Sequence, residues 1–449
     1  MKRPSQYVTT LKDQYFNWKN LIVVALVAIP VVSMLVVLIH NSVNVPFWDQ
    51  WSYVELLQKL DNGRLTFYDL WAQHNEHRIL FPKATLLALA QFTNYNVRFE
   101  VLLNLAASCG SIAVISSLLK RSLPKRQFLR SILLVVATWL VLSPLAWINW
   151  IWGFQFAFFL GAFTVLFTVW CLIEMQRKPA SNYPFYLAII SATVATYSLG
   201  NGMVIWPIGF ALLFLNKASR DILKRWGLAA VLVLATYFYK FHRSPDSPHF
   251  SQLIKQPVAV ARYILQNLGH PLARTPEGAK YTGIFLLICF VVGAVYLWRN
   301  KQELVVKIWV SVGGYALLTA ILAALSRLNF GVDHSMSFSY VTSSTIFTVS
   351  TIVITCIAFV EYFKRVPAKQ RMLSYGIVFA LGVGSFPMTL SYIQNYKRGL
   401  LEIRQQSTHM HRVRACVDSA TSIEDDCLSI VYPVRDTAWR DVQYLRSRK

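Results

Sequence analysis

Charged residues are scarce in this chain, and acidic residues are the scarcest. Only 14% of its 449 residues are charged, whereas a soluble protein carries about 25%. Hydrophobic residues make up 55% of the chain, and the mean hydropathy is +0.42. This composition excludes an ordinary soluble protein of the same length.

The apolar residues occur in long runs that are nearly free of charge, and each is long enough to cross a hydrocarbon core of about 30 Å. We therefore predict an all-α polytopic membrane protein. Residues 21–40 lack a small-residue cleavage site, so they predict a retained first helix. The eleven predicted spans are 21–40, 99–119, 131–148, 154–174, 185–200, 202–216, 226–241, 282–298, 304–325, 341–361 and 373–392.

Cysteine is also rare, with six residues and no C-x-x-C pair that would indicate a zinc site. Four cysteines fall within the apolar runs, where we expect small buried side chains: Cys109, Cys171, Cys289 and Cys356. Cys416 and Cys427 lie in the C-terminal tail. They form one disulfide if that side of the membrane is oxidising, and are otherwise two free thiols.

The net charge of +23 does not indicate nucleic-acid binding, because Lys and Arg cluster in short segments between the apolar runs. Such segments face the cytoplasm and anionic lipid, so membrane lipids are the expected partners. If the N-terminal segment 1–20 is cytoplasmic, successive spans cross the membrane in alternating directions, and this assigns each connecting segment to one side. The transmembrane domain is 21–392, its large outer loops are 41–98 and 242–281, and an outer tail covers 393–449.

Ionisable chemistry gathers in the first outer loop. The stretch PFWDQW places Asp49 between two tryptophans just after the first span. We predict two amphipathic interfacial helices after it. The first has the sequence YVELLQKL after Ser52 and ends at Gly63. The second begins at Asp69 and continues through LWAQHNEHRILF to Pro82.

A helix over this second stretch would place His74, His77 and Arg78 on one face, with Glu76 about 200° away from His74. The histidine spacing differs from that of H-E-x-x-H zinc sites. A divalent metal held by Asp49, His74 and His77 is one interpretation. The alternatives are a polar helix face in the interface and an Asp49–Arg78 ion pair.

The order of these features resembles the GT-C superfamily of membrane glycosyltransferases, which use polyprenyl-phosphate-linked sugars. In that family an acidic residue follows the first span, where this chain has Asp49. Many relatives carry paired acids there, whereas this chain has Asp49-Gln50. The stretches HNEHRI and WGFQ are similar to those of uncharacterised bacterial multi-pass membrane proteins. The resemblance implies a GT-C-like fold in a bacterial inner membrane.

Sugar transfer from a lipid phosphate needs a base, cations that hold the phosphate, and an apolar groove for the lipid. Asp49 is the first candidate base, and Glu76 is the second candidate carboxylate. Candidate residues for binding the sugar donor or the glycan or lipid acceptor are His74, His77, Arg78, Arg274, Arg327, Trp152 and Gln155. The alternative functions are a flippase or transporter and a polymerase of lipid-linked glycans.

Overall fold

A computed structural model describes residues 18–177, 181–243, 247–248, 250–367 and 371–448. Within these ranges the chain is helical and forms no β-strand beyond one isolated bridge. The predicted N-terminal segment 1–20 lies outside the described residues except for its last three.

The helices follow one another along the chain with short connections. The first half contains α1 (Trp18–Asn41), α2 (Trp51–Asp61), α3 (Phe67–Trp71), α4 (Leu80–Thr93), α5 (Arg98–Ser122), α6 (Gln127–Val141), α7 (Trp147–Ile151), α8 (Phe156–Arg177) and α9 (Tyr183–Thr196). The second half contains α10 (Ile205–Leu215), α11 (Arg220–Phe238), α12 (Phe250–Lys255), α13 (Pro257–Gly269), α14 (Pro276–Arg299), α15 (Glu303–Arg327), α16 (Val341–Arg365), α17 (Arg371–Ser419) and α18 (Arg435–Ser447).

Seven candidate membrane spans occur in the part of the chain that the structure describes: Asn20–Asn41, Arg98–Ser122, Gln127–Ile151, Gly153–Arg177, Pro276–Arg299, Glu303–Phe330 and Phe338–Arg365. Each is apolar and long enough to cross a bilayer. The chain is therefore an all-α, multi-pass membrane protein. The other four predicted spans correspond to α9, α10, α11 and part of α17, which are not among the seven. The count of eleven remains a prediction.

Local sequence explains where several helices begin. Thr275 caps α14 by accepting a hydrogen bond from the Gly278 N–H at 3.1 Å, and Pro276 opens the helix. Pro82 stands in the first turn of α4, where a missing N–H costs nothing. The prediction that a helix ends at Pro82 is therefore wrong, because Pro82 lies at the start of one.

Cations and anions within the spans lie near the helix ends. Arg126 binds Glu361 at 2.8 Å, and Arg121 contacts Glu174. Burial of such groups is costly unless they are paired. Between these ends, the helices pack through large buried side chains. One of them, Trp309, donates a hydrogen bond to Ser122 at 2.8 Å.

The C-terminal tail packs against the first outer loop. Side chains of α2, α4, α17 and α18 share one hydrophobic cluster, and Arg448 binds Asp61 at 2.9 Å. A disulfide joins Cys416 and Cys427, with a sequence separation of 11. Residues 41–98 and 393–449 therefore meet on one side of the helix bundle.

Candidate active site: a cavity with a buried acid

A cavity of about 540 Å³ opens among the helix ends. Its wall is formed by the turn 74–77, the 3₁₀ segment Gly200–Val204, the end of α11 with residues of the stretch that follows it to Ser247, and the end of α15 with the connection to α16. Phe158 of α8 and Ser343 at the start of α16 complete it. Its wall is mixed in character. The aromatic members are Phe158, Tyr237, Phe238, Phe241, Phe330 and Tyr340, and the polar members include Asn201, Ser247, Thr319, Ser326, Ser337, Ser339 and Ser343. Such a wall suits a ligand with both an apolar and a polar part.

The turn 74–77 brings the acidic residue to this cavity. His74 and His77 exchange backbone hydrogen bonds of 2.8 and 2.9 Å. Between them Asn75 adopts a φ of 49°, which Asn tolerates better than most residues at a tight turn. The predicted helix over LWAQHNEHRILF is therefore wrong, because α3 ends at Trp71 and the turn separates it from α4. His74, His77 and Arg78 do not share a helical face.

Glu76 is the carboxylate that lines the cavity. Its side chain is 9% exposed, and its Oε2 lies 2.8 Å from Nη2 of Arg327. The Ser247 hydroxyl donates to the other carboxylate oxygen. Arg327 itself is 24% exposed and its guanidinium lies 5.7 Å from the centre of the Phe330 ring. The acid is therefore charge-paired, and its cationic partner also lines the cavity.

Two histidines line the same cavity. Burial, followed by the charges of Arg327 and His74, lowers the pKa of His77 from 6.5 to about 4. Burial and Arg327 also lower the pKa of His334. Both imidazoles are therefore neutral at neutral pH and able to accept a proton or a hydrogen bond. The Nδ1 atom of His77 is buried without a hydrogen-bond partner among the described residues.

Position 200 requires a glycine, because a side chain there would collide with His77. A Cβ on Gly200 would lie 2.8 Å from the His77 Nδ1 atom and 2.9 Å from the Tyr237 hydroxyl. The backbone of the Gly200–Val204 segment thereby approaches the imidazole closely, and it carries Asn201 into the cavity wall.

Arg78 has a different environment from the one predicted for a phosphate ligand. It is 2% exposed, and its guanidinium donates to the main-chain oxygens of Tyr237 at 2.6 Å, Tyr239 at 2.5 Å and Trp71 at 3.1 Å. These carbonyls include those at the C-terminus of α11, where a cation is favourable. Arg78 joins the first outer loop to α11 and does not pair with Asp49.

Asp49 lies on the far side of the turn from the cavity. Its side chain is 38% exposed, and its Oδ2 lies 3.4 Å from Nε2 of His74. The His74 ring in turn packs against Phe154 at 4.9 Å between centres. Asp49 is outside the set of described residues that line the cavity. The two predicted carboxylates are therefore separated by one tight turn.

The aromatic residues around Asp49 form a cluster. Trp48 is 61% exposed and its backbone has a φ of 46°, which is strained for a tryptophan. Its ring lies 6.2 Å from that of the buried Trp152. Gln155 is buried near this cluster, and its Oε1 has no partner within the described chain. Neither Trp152 nor Gln155 lines the cavity.

Arg274 lies apart from both groups and donates a hydrogen bond to Gln394 at 2.9 Å. Of the predicted arginines, only Arg327 reaches the cavity.

Sequence reasoning missed a further buried carboxylate, Glu100, which accepts a hydrogen bond of 2.5 Å from the Gln50 side chain. Gln50 also accepts from the Phe47 N–H at 3.0 Å. Gln50 thus anchors PFWDQW to α5. The only sequence signal was an acid at the edge of an apolar run.

The predicted metal ligands do not form a metal site in this structure. Over the ranges that the structure describes, no group of three or more His, Cys, Asp or Glu side chains is placed to hold an ion. The turn directs His77 into the cavity wall, whereas His74 contacts Asp49.

Comparison with known proteins assigns no family to this chain. No protein-family model matches the chain, and no curated protein matches it.

Proposed function

We propose that this protein is a glycosyltransferase of the inner membrane of a bacterium. It would move a sugar from a polyprenyl-phosphate donor to a glycan or lipid acceptor on the outer face. The observation that carries the proposal is the cavity itself, which combines an aromatic wall, a polar wall, and a carboxylate paired with an arginine.

The topology supports this location. A GT-C-like fold with eleven spans and a cytoplasmic N-terminus would put the loops 41–98 and 242–281 on the outer side. Glu76 and Ser247 belong to these two loops and meet in the cavity. The disulfide between Cys416 and Cys427 suits an oxidising compartment on that side.

Arg327 is the residue that we assign to the donor phosphate. Arginine binds phosphate through two parallel hydrogen bonds, which strengthens and orients the contact. Arg243 also lines the cavity and adds a second cation. A phosphate at this position would compete with Glu76 for the guanidinium. Donor binding would therefore release the carboxylate from its ion pair.

The aromatic side and the polar side of the cavity would bind different parts of the donor. The polyprenyl chain would lie against the aromatic side, because burying its apolar surface is favourable. The sugar hydroxyls would face Asn201, Thr319 and the serines, whose side chains both donate and accept hydrogen bonds. Asn201 has a buried Oδ1 with no partner in the described part of the chain, so a sugar hydroxyl would supply the missing donor.

The reaction needs one proton acceptor. The acceptor hydroxyl oxygen attacks the anomeric carbon, and the bond from that carbon to the phosphate oxygen breaks. Polyprenyl phosphate leaves with the electron pair, and the hydroxyl proton passes to a carboxylate. Glu76 is the preferred base because it lines the cavity, and a base must lie within hydrogen-bond reach of the proton. Asp49 is the second candidate.

Glycan profiling of a deletion strain by mass spectrometry tests this function. We expect the strain to make a glycan that lacks one sugar and to accumulate the lipid-linked sugar donor. The wild-type gene should restore the missing sugar. Glu76→Gln should not, because loss of a general base lowers the rate by about 10²–10⁴-fold.

The matched control is Glu277→Gln, which removes an acid that also pairs with an arginine but lies 53% exposed outside the cavity. It should restore the sugar fully. Asp49→Asn, tested in parallel, shows which carboxylate is the base. A complete lipid-linked glycan that accumulates in the deletion strain would contradict sugar transfer and indicate a flippase or polymerase.

A further inference from the structure

A second cavity, of about 210 Å³, lies where the C-terminal tail meets the first outer loop. The tail contributes Arg414, Arg446 and Arg448 to its wall. The loop contributes main chain and amide side chains, including Asn44 and Asn96. Pro46, the first residue of PFWDQW, also lines this cavity. Nothing in the proposed sugar transfer uses it.

Not every arginine at this cavity is paired directly with a carboxylate among the described residues. Arg414 pairs with Asp418 at 2.6 Å, and Arg448 pairs with Asp61 at 2.9 Å. Arg446 has no carboxylate within ion-pair distance in the described ranges. Its guanidinium donates to the main-chain oxygens of Val417 at 2.8 Å and Ala420 at 2.6 Å, and it lies 5.9 Å from the centre of the Trp439 ring. Two of the three guanidinium groups are thus paired directly with a carboxylate, and the third has only the more distant Asp425 as a counter-charge.

Two of these guanidinium groups also have N–H donors without a hydrogen-bond acceptor in the described part of the chain. Nη2 of Arg446 and Nη1 of Arg448 are both buried without a hydrogen-bond partner among the described residues. A buried donor that lacks an acceptor is destabilising, and more so when it is charged. Two such donors on residues that line one cavity would gain from a ligand that accepts hydrogen bonds.

The surrounding structure holds these arginines in place before any ligand arrives. Cys416, next to Val417, is bound to Cys427 through the disulfide. Nη1 of Arg414 donates to the Asn44 main-chain oxygen at 2.6 Å, which joins the tail to the loop. A preformed site of this kind loses little entropy on binding.

We propose that this cavity binds a phosphate group from the outer side of the membrane. Arginine recognises phosphate through several directed hydrogen bonds, and a phosphate oxygen would supply the acceptors that Arg446 and Arg448 lack among the described residues. The phosphate belongs either to a phospholipid headgroup or to a free or glycan-linked phosphate. This site is separate from the proposed donor site and does not depend on the proposed function.

The variant Asn96→Asp tests the site with little change in shape. The Asn96 Oδ1 accepts a hydrogen bond of 3.2 Å from the Arg98 N–H, and Asp keeps that acceptor. The new negative charge on the cavity wall opposes a phosphate. The matched control is Asn182→Asp, the same change in the connection between α8 and α9. Arg446→Gln is a second variant that removes the guanidinium without a direct carboxylate partner in the described ranges.

The measurement is calorimetric titration of the full-length, detergent-purified protein with inorganic phosphate, against sodium chloride at the same ionic strength. A second arm of the experiment tests lipid binding by native mass spectrometry in the presence of phosphatidylglycerol. We expect binding of one phosphate group in at least one arm. Asn96→Asp and Arg446→Gln should weaken it about tenfold or more, and Asn182→Asp should not change it.

Retention of one phosphatidylglycerol that Asn96→Asp abolishes would identify a lipid headgroup as the ligand. A response to inorganic phosphate alone would identify a free or glycan phosphate. Absence of binding in both arms, or equal binding by the wild type and Asn96→Asp, would overturn the proposal.

Discussion

Replacing Glu76 with Gln removes the negative charge of the acid in the cavity and leaves the shape of its side chain nearly unchanged. In the structure, Glu76 is 9% exposed and lies 2.8 Å from Arg327, and it also accepts a hydrogen bond from Ser247. Gln fills the same space and keeps one acceptor oxygen. It leaves the Arg327 guanidinium without a counter-charge, so the variant should be less stable than the wild type.

The size of this effect follows from the burial of the two side chains. Breaking a buried ion pair costs about 3–5 kcal/mol. Arg327 is 24% exposed, so water solvates part of its charge and reduces the expected cost to about 2–3 kcal/mol. In a protein of 449 residues, each kcal/mol shifts Tm by about 1–2 °C. We therefore expect Glu76→Gln to lower Tm by about 2–6 °C.

Thermal unfolding in detergent, followed by tryptophan fluorescence, measures this shift. Glu277→Gln is the control, because its ion pair is exposed to solvent and should contribute little to stability. A double-mutant cycle of Glu76→Gln with Arg327→Gln should give a coupling of about 2 kcal/mol. Equal Tm values for Glu76→Gln and Glu277→Gln, or strictly additive effects in the cycle, would refute the pairing.

Two further predictions concern the disulfide and a buried histidine. Replacing Cys416 and Cys427 together with Ser removes a cross-link worth about 2–3 kcal/mol, so Tm should fall. Dithiothreitol should lower Tm only in the wild type. An unchanged Tm in the double variant would contradict a stabilising disulfide. The pKa of His77 is lowered from 6.5 to about 4, so its contribution to stability is complete above pH 6.5 and declines as the pH falls toward 4. His77→Gln should therefore flatten the dependence of Tm on pH between about 7 and about 5, and equal slopes for variant and wild type would count against a neutral, buried His77.

The apolar runs predicted the membrane helices well because length and hydrophobicity decide them locally. Residues 21–40 and 99–119 correspond to α1 and α5 within a few residues, and the helix after Ser52 corresponds to α2. Each of these segments carries its own signal, since a long uncharged stretch is stable in lipid only as a helix.

The turn at residues 74–77 could not be predicted in the same way. Its sequence contains no glycine or proline, and its residues form helices as readily as loops. Contacts with distant residues decide its conformation: Gln73 exchanges hydrogen bonds with the main chain of His242, 169 residues away, and Arg78 binds the end of α11. Such tertiary contacts outweigh the small differences in local helix propensity.

The cavity could not be found from sequence for the same reason. Glu76 meets Ser247 across 171 residues, and no spacing rule connects the two. Gly200 ends the predicted span 185–200, and the structure shows that this glycine leaves space for the His77 ring. The single arginine of the predicted set that reaches Glu76 is Arg327, at the end of α15.

In the proposed reaction, the two predicted carboxylates would have different roles because the turn separates them. Glu76 pairs with Arg327, the cation that we assign to the donor phosphate, so donor binding would release Glu76 from its ion pair. Asp49 contacts His74 on the opposite side of the turn, beside the exposed Trp48. If Glu76 is the base, Asp49→Asn should mainly raise the KM for the acceptor, whereas Glu76→Gln should lower kcat. The reverse pattern would assign proton transfer to Asp49 and leave Glu76 as the residue that holds Arg327 until the donor binds.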